Sequence, residues 1–304
     1  MKVIDAHVHL IQYIAGTGAS GEMRSCGGGR GMYSDGSVCQ LIPPEWNTQQ
    51  VTPERMLQVM DENEVERAVL LQGGYLGFQN LYSHAAQQKY PDRFLAAAAY
   101  DPASRNRDAI VHHLFEELCI RVVKFEVSTG SGLMANHPVF ALDGEMMERE
   151  AAFAEDHGLV FVIDIGKLGS PSSQIEALRR LILRHPSLRF VVCHLLAPKQ
   201  TELHAMEEGL QRLALPNVWF DLASLQHNVR PDQPPFPVAR QFISCAVETV
   251  GAQRLLFGTD TPSNLCRFRY MDLVNTIAQH PDLAPEQKQL ILYGNAKKVF
   301  WEQD

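Results

Sequence analysis

The chain predicts an α/β fold, a single (β/α)8 TIM barrel over residues 1–304, and three observations carry that expectation. Short apolar runs of strand length recur along it. Longer amphipathic stretches separate them. No Gly-rich phosphate fingerprint follows the first run, which argues against an open doubly wound sheet. The runs are KVIDAH (2–7), ERAVLL (66–71), RFLAAAAY (93–100), IRVVKFE (120–126), LVFVID (159–164), LRFVVCH (188–194), NVWFDLA (217–223) and RLLFG (254–258). Strands apolar on both faces belong to parallel sheets, and eight strand–helix units close such a sheet into a barrel.

The intervening stretches, such as PERMLQVMDENE, SQIEALRRLILRHP and PVARQFISCAVETVG, combine helix formers with 3.6-residue apolar spacing; several open on Pro, Asp or Ser and close at Gly. Residues 11–50 break this rhythm. They are glycine-rich, keep no sustained period and read as a long loop after strand one, on the carboxyl-end face, where a lid or substrate-lining role is expected.

Composition bounds the partners. A chain of 304 residues with 45% hydrophobic content buries a full core. Its formal charge of −8, from 35 acidic and 27 basic residues, offers no basic stripe for nucleic acid, although a few local Arg or Lys residues could still meet an anionic substrate. No apolar run reaches the ~18 residues of a membrane span, so a cytoplasmic protein acting on a small molecule is expected. A homo-oligomer is left open. The six cysteines fall in no close-spaced ligand pair and read as reduced, mostly buried thiols.

The chemistry-bearing residues gather at strand ends. By period-2 alternation, Val3, Asp5, His7 and His9 share one side of strand one, with both histidines at its carboxyl end, half of a metal site. His194 ends the apolar run RFVVC, and Asp260 follows LLFGT; a polar group straight after a buried run is costly unless it meets a partner. Each has a plainer alternative: a core histidine bonded to backbone, or an aspartate capping a helix. Four such residues at one end of three strands make coincidence improbable.

In DAHVHL (5–10), FVVCHLLAP (190–198), RLLFGTDTP (254–262) and GNAKKVF (294–300) the sequence resembles the amidohydrolase-related branch of the amidohydrolase superfamily, which includes decarboxylase-like and lactonase-like enzymes. The resemblance implies that His7, His9 and Asp260 bind one divalent metal, Zn or Mn, that Asp260 also handles a water proton, and that His194 assists as acid, base or oxyanion partner. It departs at strand five, where Asp164 stands in the usual histidine position. Asp164 either replaces the imidazole as a ligand, favouring a harder metal, or has no metal role; some lactonase-like members work without metal. On strand four, Lys124 and Glu126 share a face and are expected to meet substrate, with Arg30 and Tyr33 from the long loop. Arg24, Arg230, His137 and His227 are weaker candidates.

The function expected is metal-dependent hydrolysis of an ester, lactone or amide of a small carboxylated molecule. Non-oxidative decarboxylation of a small unsaturated or aromatic acid is the first alternative, and a non-catalytic ligand-binding barrel the second.

Overall fold

A computed structural model describes residues 1–302. Among them the apolar runs form eight parallel strands: β1 (Val3–Val8), β2 (Val65–Leu70), β3 (Phe94–Ala98), β4 (Val122–Glu126), β5 (Val160–Asp164), β6 (Arg189–Val192), β7 (Val218–Asp221) and β8 (Leu255–Leu256). Each pairs with the next in sequence order. The predicted barrel is therefore present, with β8 shortened because the chain leaves strand geometry by Gly258 and turns left-handed at Asp260 (φ 59°).

Alternation along each strand sorts side chains into two layers. Ile4, Ala6, Val69, Val122, Val162, Val191 and Leu256 fill the barrel interior, and Ala296, Val299 and Phe300 of the last helix join that cluster. The opposite faces meet the helices. On the outer faces of β4, β5 and β6, Phe125, Phe161 and Phe190 pack ring to ring at 5.3 and 5.2 Å between centroids. Helix Ile175–Arg184 buries Ala177, Leu178, Leu181 and Ile182, the i, i+1, i+4, i+5 stripe that a core-facing helix needs. Each fully buried Leu or Ile of this stripe contributes roughly 1.5–3 kcal/mol of transfer free energy.

The barrel closes between β1 and the segment after β8. Ala6 N donates to Phe257 O (2.9 Å), Asp260 N to His7 O (2.8 Å) and His9 N to Thr261 O (2.8 Å). Asp5, fully buried, staples this seam: its Oδ1 accepts from His7 N and Thr259 N at 3.0 Å, and its Oδ2 from Thr259 Oγ1 and, at 2.6 Å, Tyr270 OH. The simple alternation expected for β1 fails here. A register shift between Asp5 and Val8 against β2 marks a bulge. Val3 therefore packs in the outer layer and Asp5 reaches Tyr270 of an outer helix, while His7 and His9 turn into the barrel mouth.

Residues 11–50 are more ordered than a loop. Ala15–Gly18, Gly21–Gly27, Arg30–Tyr33 and Val38–Gln40 form a four-stranded antiparallel sheet. Its strands are exposed on much of both faces, so no apolar alternation betrays them, and Gly21, Gly28, Gly29 and Gly36 take the positive φ its turns require. The sheet docks on the carboxyl-end loops through Thr17 N to Gly74 O (3.0 Å) and Ala19 N to Gly130 O (2.9 Å). Gly16 permits this approach, since a Cβ there would lie 1.8 Å from Tyr75 O. All six cysteines are free; only Cys193 is buried and Cys119 is exposed, fewer buried thiols than expected. Among the described residues no helix is long and apolar enough to cross a membrane.

Replacing Asp5 with Ala leaves two amides and two hydroxyls of the seam without their acceptor. The variant is expected to lose about 3 kcal/mol or more of unfolding free energy, read as a lowered urea midpoint; an unchanged midpoint would refute the stapling role.

Candidate active site

At the carboxyl end of the barrel a cavity of about 570 Å³ collects side chains from five strand ends: His7 and His9, Lys124 and Glu126, Asp164, His194 and Asp260 all line it, and Tyr75 and Ser224 complete the inner wall. Three of the strand exits are conformationally unusual. His194, Ser224 and Asp260 have φ near 60°, and the run His194–Ala197 stays left-handed for four residues, a costly backbone state held by its surroundings and concentrated at this site.

His7, His9 and Asp260 bring potential donor atoms within 4.8 Å of one another. The outward nitrogens of both histidines are already engaged. His9 Nδ1 donates to Leu71 O (2.9 Å) and His7 Nδ1 to Asp221 Oδ2 (3.1 Å), so each Nε2 turns toward Asp260 Oδ1, at 2.9 Å from His9 and 3.8 Å from His7. An imidazole that donates through Nδ1 faces a carboxylate with its Nε2 lone pair unless a second proton or a cation lies between them. Burial, with Lys124 and His194 nearby, pushes His7 well below the usual histidine range and keeps it neutral, the form that ligates metal. Burial works against ionised Asp260, but the close approach of His9 Nε2 and the neighbouring His7 and His194 rings outweigh it and hold this carboxyl well below the usual range. Two imidazole nitrogens and one carboxylate oxygen fit a single divalent cation.

Asp164 is not in this donor set. Its Oδ1 accepts from Gly166 N (2.8 Å), and its Oδ2 lies 3.4 Å from His194 Nε2. A second cluster, His7, Cys193 and His194, is equally close, but burial raises the Cys193 thiol well above its usual range and withholds the thiolate a metal needs. Burial also opposes charge on His194; Asp164, Asp221 and Asp260 outweigh it and lift the imidazole to about 10. With Nδ1 bonded to Ala223 O (2.9 Å), His194 is a fixed cationic donor at the cavity floor.

Lys124 Nζ stands 3.4 Å from His7 Nε2, and the carboxylates of Glu126, Asp164 and Asp260 help keep it charged despite burial. An ammonium in this position disfavours a second cation beside the first. Glu126 Oε1 accepts from Ser131 Oγ (2.6 Å), whereas its Oε2 is buried with no partner among the described residues. Burial, reinforced by Asp164, raises the Glu126 carboxyl. Gly73 leaves room for it: a Cβ there would fall 2.1 Å from Oε2.

The remaining candidates scatter. Arg30 is exposed and turns its Nε to Gly27 O of its own hairpin (3.2 Å), outside the cavity wall. Tyr33 is half-buried in the small sheet, also outside that wall, where burial, with Cys39 and Glu126 in electrostatic range, raises its phenol. Arg24 pairs with Glu22, and His137 with Asp101 at 2.7 Å. Sequence reasoning overlooked Asp221. This buried carboxylate binds His7 Nδ1, His194 N (2.8 Å) and Ala223 N (3.1 Å), and the signal was available, since it too ends an apolar run, NVWF. Ser224, donating to Asp260 Oδ2, and Gly258, where a Cβ would lie 2.9 Å from His7 Cβ, gave no comparable signal.

The family model described as amidohydrolase matches residues 4–300. The chain belongs to the amidohydrolase family. It is thus an enzyme of the amidohydrolase type, a family generally dependent on metal and acting on small molecules. No curated protein matches it at a significant level in a sequence comparison. Among solved structures it resembles a probable 2-pyrone-4,6-dicarboxylic acid hydrolase of Acinetobacter baumannii, solved with citric acid, at 17% identity and TM-score 0.70, with 99% of each chain covered. A zinc-bound amidohydrolase of Burkholderia multivorans is similar at 15% identity and TM-score 0.70, again over 99% of each chain. A 2,6-dihydroxybenzoate decarboxylase from Rhizobium is similar at 16% identity and TM-score 0.57, covering 81% of this chain and 87% of its own. At these identities the likeness concerns the fold.

Because Asp221 orients His7, Asp221→Asn is expected to weaken metal affinity by about 10–100-fold, measured by competition with a chromogenic chelator. Undiminished affinity would remove Asp221 from the metal-supporting network.

Proposed function

We propose that the enzyme hydrolyses a lactone, or a related small ester, of a carboxylated molecule, with one zinc ion held by His7, His9 and Asp260. The observation that carries this reading is the convergence of those three donors beside a charged His194 in one cavity. Zinc is preferred over manganese because Asp164, the harder donor, is turned to His194. Bound there, the ion would lower the pKa of a water toward about 7 and polarise a carbonyl.

The chain's own groups account for the proton and the charge. As water oxygen forms a bond to the carbonyl carbon, its proton passes to Asp260, which is ionised and held by His9 and Ser224. The His194 imidazolium stabilises the charge that develops on the carbonyl oxygen. The ring C–O bond then breaks, and the leaving oxygen takes the proton back from Asp260. Lys124 and Glu126, the latter with one oxygen unpartnered among the described residues, orient the substrate; Asp164 keeps His194 protonated.

The likeness to the Acinetobacter hydrolase, which its name describes as acting on a pyrone, supports a lactone and extends over the whole chain. Decarboxylation uses the same wall and is supported by the Rhizobium enzyme over a smaller share of the fold.

The test is a panel of lactones and aromatic acids, scored for ring opening and CO2 release with wild type and Asp260→Asn. Ring opening that falls about 10²–10⁴-fold in the variant is expected, the usual worth of a positioned proton carrier. CO2 release without ring opening would replace the reading by the lyase one, and unchanged turnover in the variant would overturn the proton role of Asp260.

A further inference from the structure

Three basic side chains follow three different strand exits: Lys167 and Arg267 line the cavity, and Arg230 lies within electrostatic range of His227 on its wall. Lys167 follows β5 and lines the main cavity. Arg267 follows β8 and, with His227 of the helix Leu225–Asn228, lines an adjoining cavity of about 550 Å³ whose wall includes Cys39 and Gln40 of the small sheet. The two cavities share Ser224, Asp260 and Ser263, so they are lobes of one space divided at Asp260. Arg230 follows His227 by three residues.

None of these three cations makes a side-chain hydrogen bond or ion pair among the described residues. Basic residues over much of the surface are matched: Lys89 with Glu54, Arg93 with Asp61, Arg180 with Asp143, Arg269 with Asp272. The carboxylates nearest the mouth are otherwise occupied. Asp164 serves His194, Asp260 serves His9 and Ser224, and Asp232 accepts from Val238 N and Ala239 N. Glu45 lies within electrostatic range of Cys266 but pairs with none of the three. On a chain of net charge −8, this is a local reversal of sign at the entrance to the site. The same cations act on His227: burial first, then Arg230 and Arg267, with Lys167 adding, push its imidazole down to about 4, leaving a neutral ring beside them.

We propose that the mouth between Lys167 and Arg267 is an anion subsite that holds a carboxylate of the substrate remote from the carbonyl under attack. The proposal rests on the cavity being the active site. A carboxylate suits it better than a phosphate dianion because Asp164, Glu126 and Asp260 line the same space and repel added negative charge more strongly. Arginine's planar fork matches the two oxygens of a carboxylate, and lysine adds a point charge. The site then reads its substrate at two ends, and the spacing between mouth and triad selects length as well as charge.

The test measures binding rather than turnover, by calorimetry on the metal-loaded enzyme with glutarate, methyl phosphate and glycerol. Wild type is expected to bind glutarate with an affinity that falls between about 20 mM and 0.5 M NaCl. Lys167→Gln and Arg267→Gln each weaken it about tenfold, and the double variant about a hundredfold, while metal content is unchanged. Glycerol shows no such dependence. Glutarate held only at the metal triad would bind all variants alike and overturn the proposal, as would no binding to wild type or tighter binding of methyl phosphate. An enzyme that binds glutarate here but opens no lactone would overturn only the proposed reaction, whereas one that opens neutral lactones yet ignores glutarate would overturn only the subsite.

Discussion

Asp5 is a buried carboxylate that gathers two backbone amides and two hydroxyls across the seam where β1 meets the chain beyond β8. That seam is irregular, since β8 is only two residues long and a single bridge, Val8 to Thr261, joins β1 to the chain beyond it. It is also where the triad is assembled: His7 O receives Asp260 N, and His9 N reaches Thr261 O. Closing the barrel and bringing both histidines to Asp260 are one structural event. The low dielectric that makes this polar seam expensive also makes its bonds strong once every group is satisfied.

From the seam, order spreads outward through hydrogen bonds that each fix a ring. Asp221 fixes His7, Leu71 O fixes His9, and Ala223 O with Asp164 fixes His194. The consequence is a division of charge in a small volume. Two rings turn their Nε2 atoms toward a carboxylate, while a third ring and Lys124 stay cationic. A preorganised arrangement of this kind stabilises developing charge without reorganising when reaction occurs.

Much of this was legible in the sequence because its cost was legible. Apolar runs of strand length with amphipathic stretches between them define the barrel, and a His or Asp ending such a run has to be satisfied by something; that logic found His7, His9, His194 and Asp260. It would have found Asp221 had it been applied to NVWFD. The bulge in β1 was not legible, because strict alternation also places His7 and His9 together while wrongly adding Asp5 to their face. The small sheet was hidden since most of its buried positions are glycines, Gly16, Gly18 and Gly31, which carry no apolar period, and a place in the loop on the carboxyl-end face suggested Arg30 as a substrate contact although it bonds its own hairpin. The cations of the mouth lie in loops whose relative positions only the closed barrel determines.

The seam thus gathers the donors for one metal ion, with the charged Lys124 beside them. Elemental analysis of the purified wild type beside His7→Ala tests it most directly. About one equivalent of zinc per chain is expected in wild type, and its loss in the variant. Two equivalents in wild type, or an active protein free of metal, would contradict it.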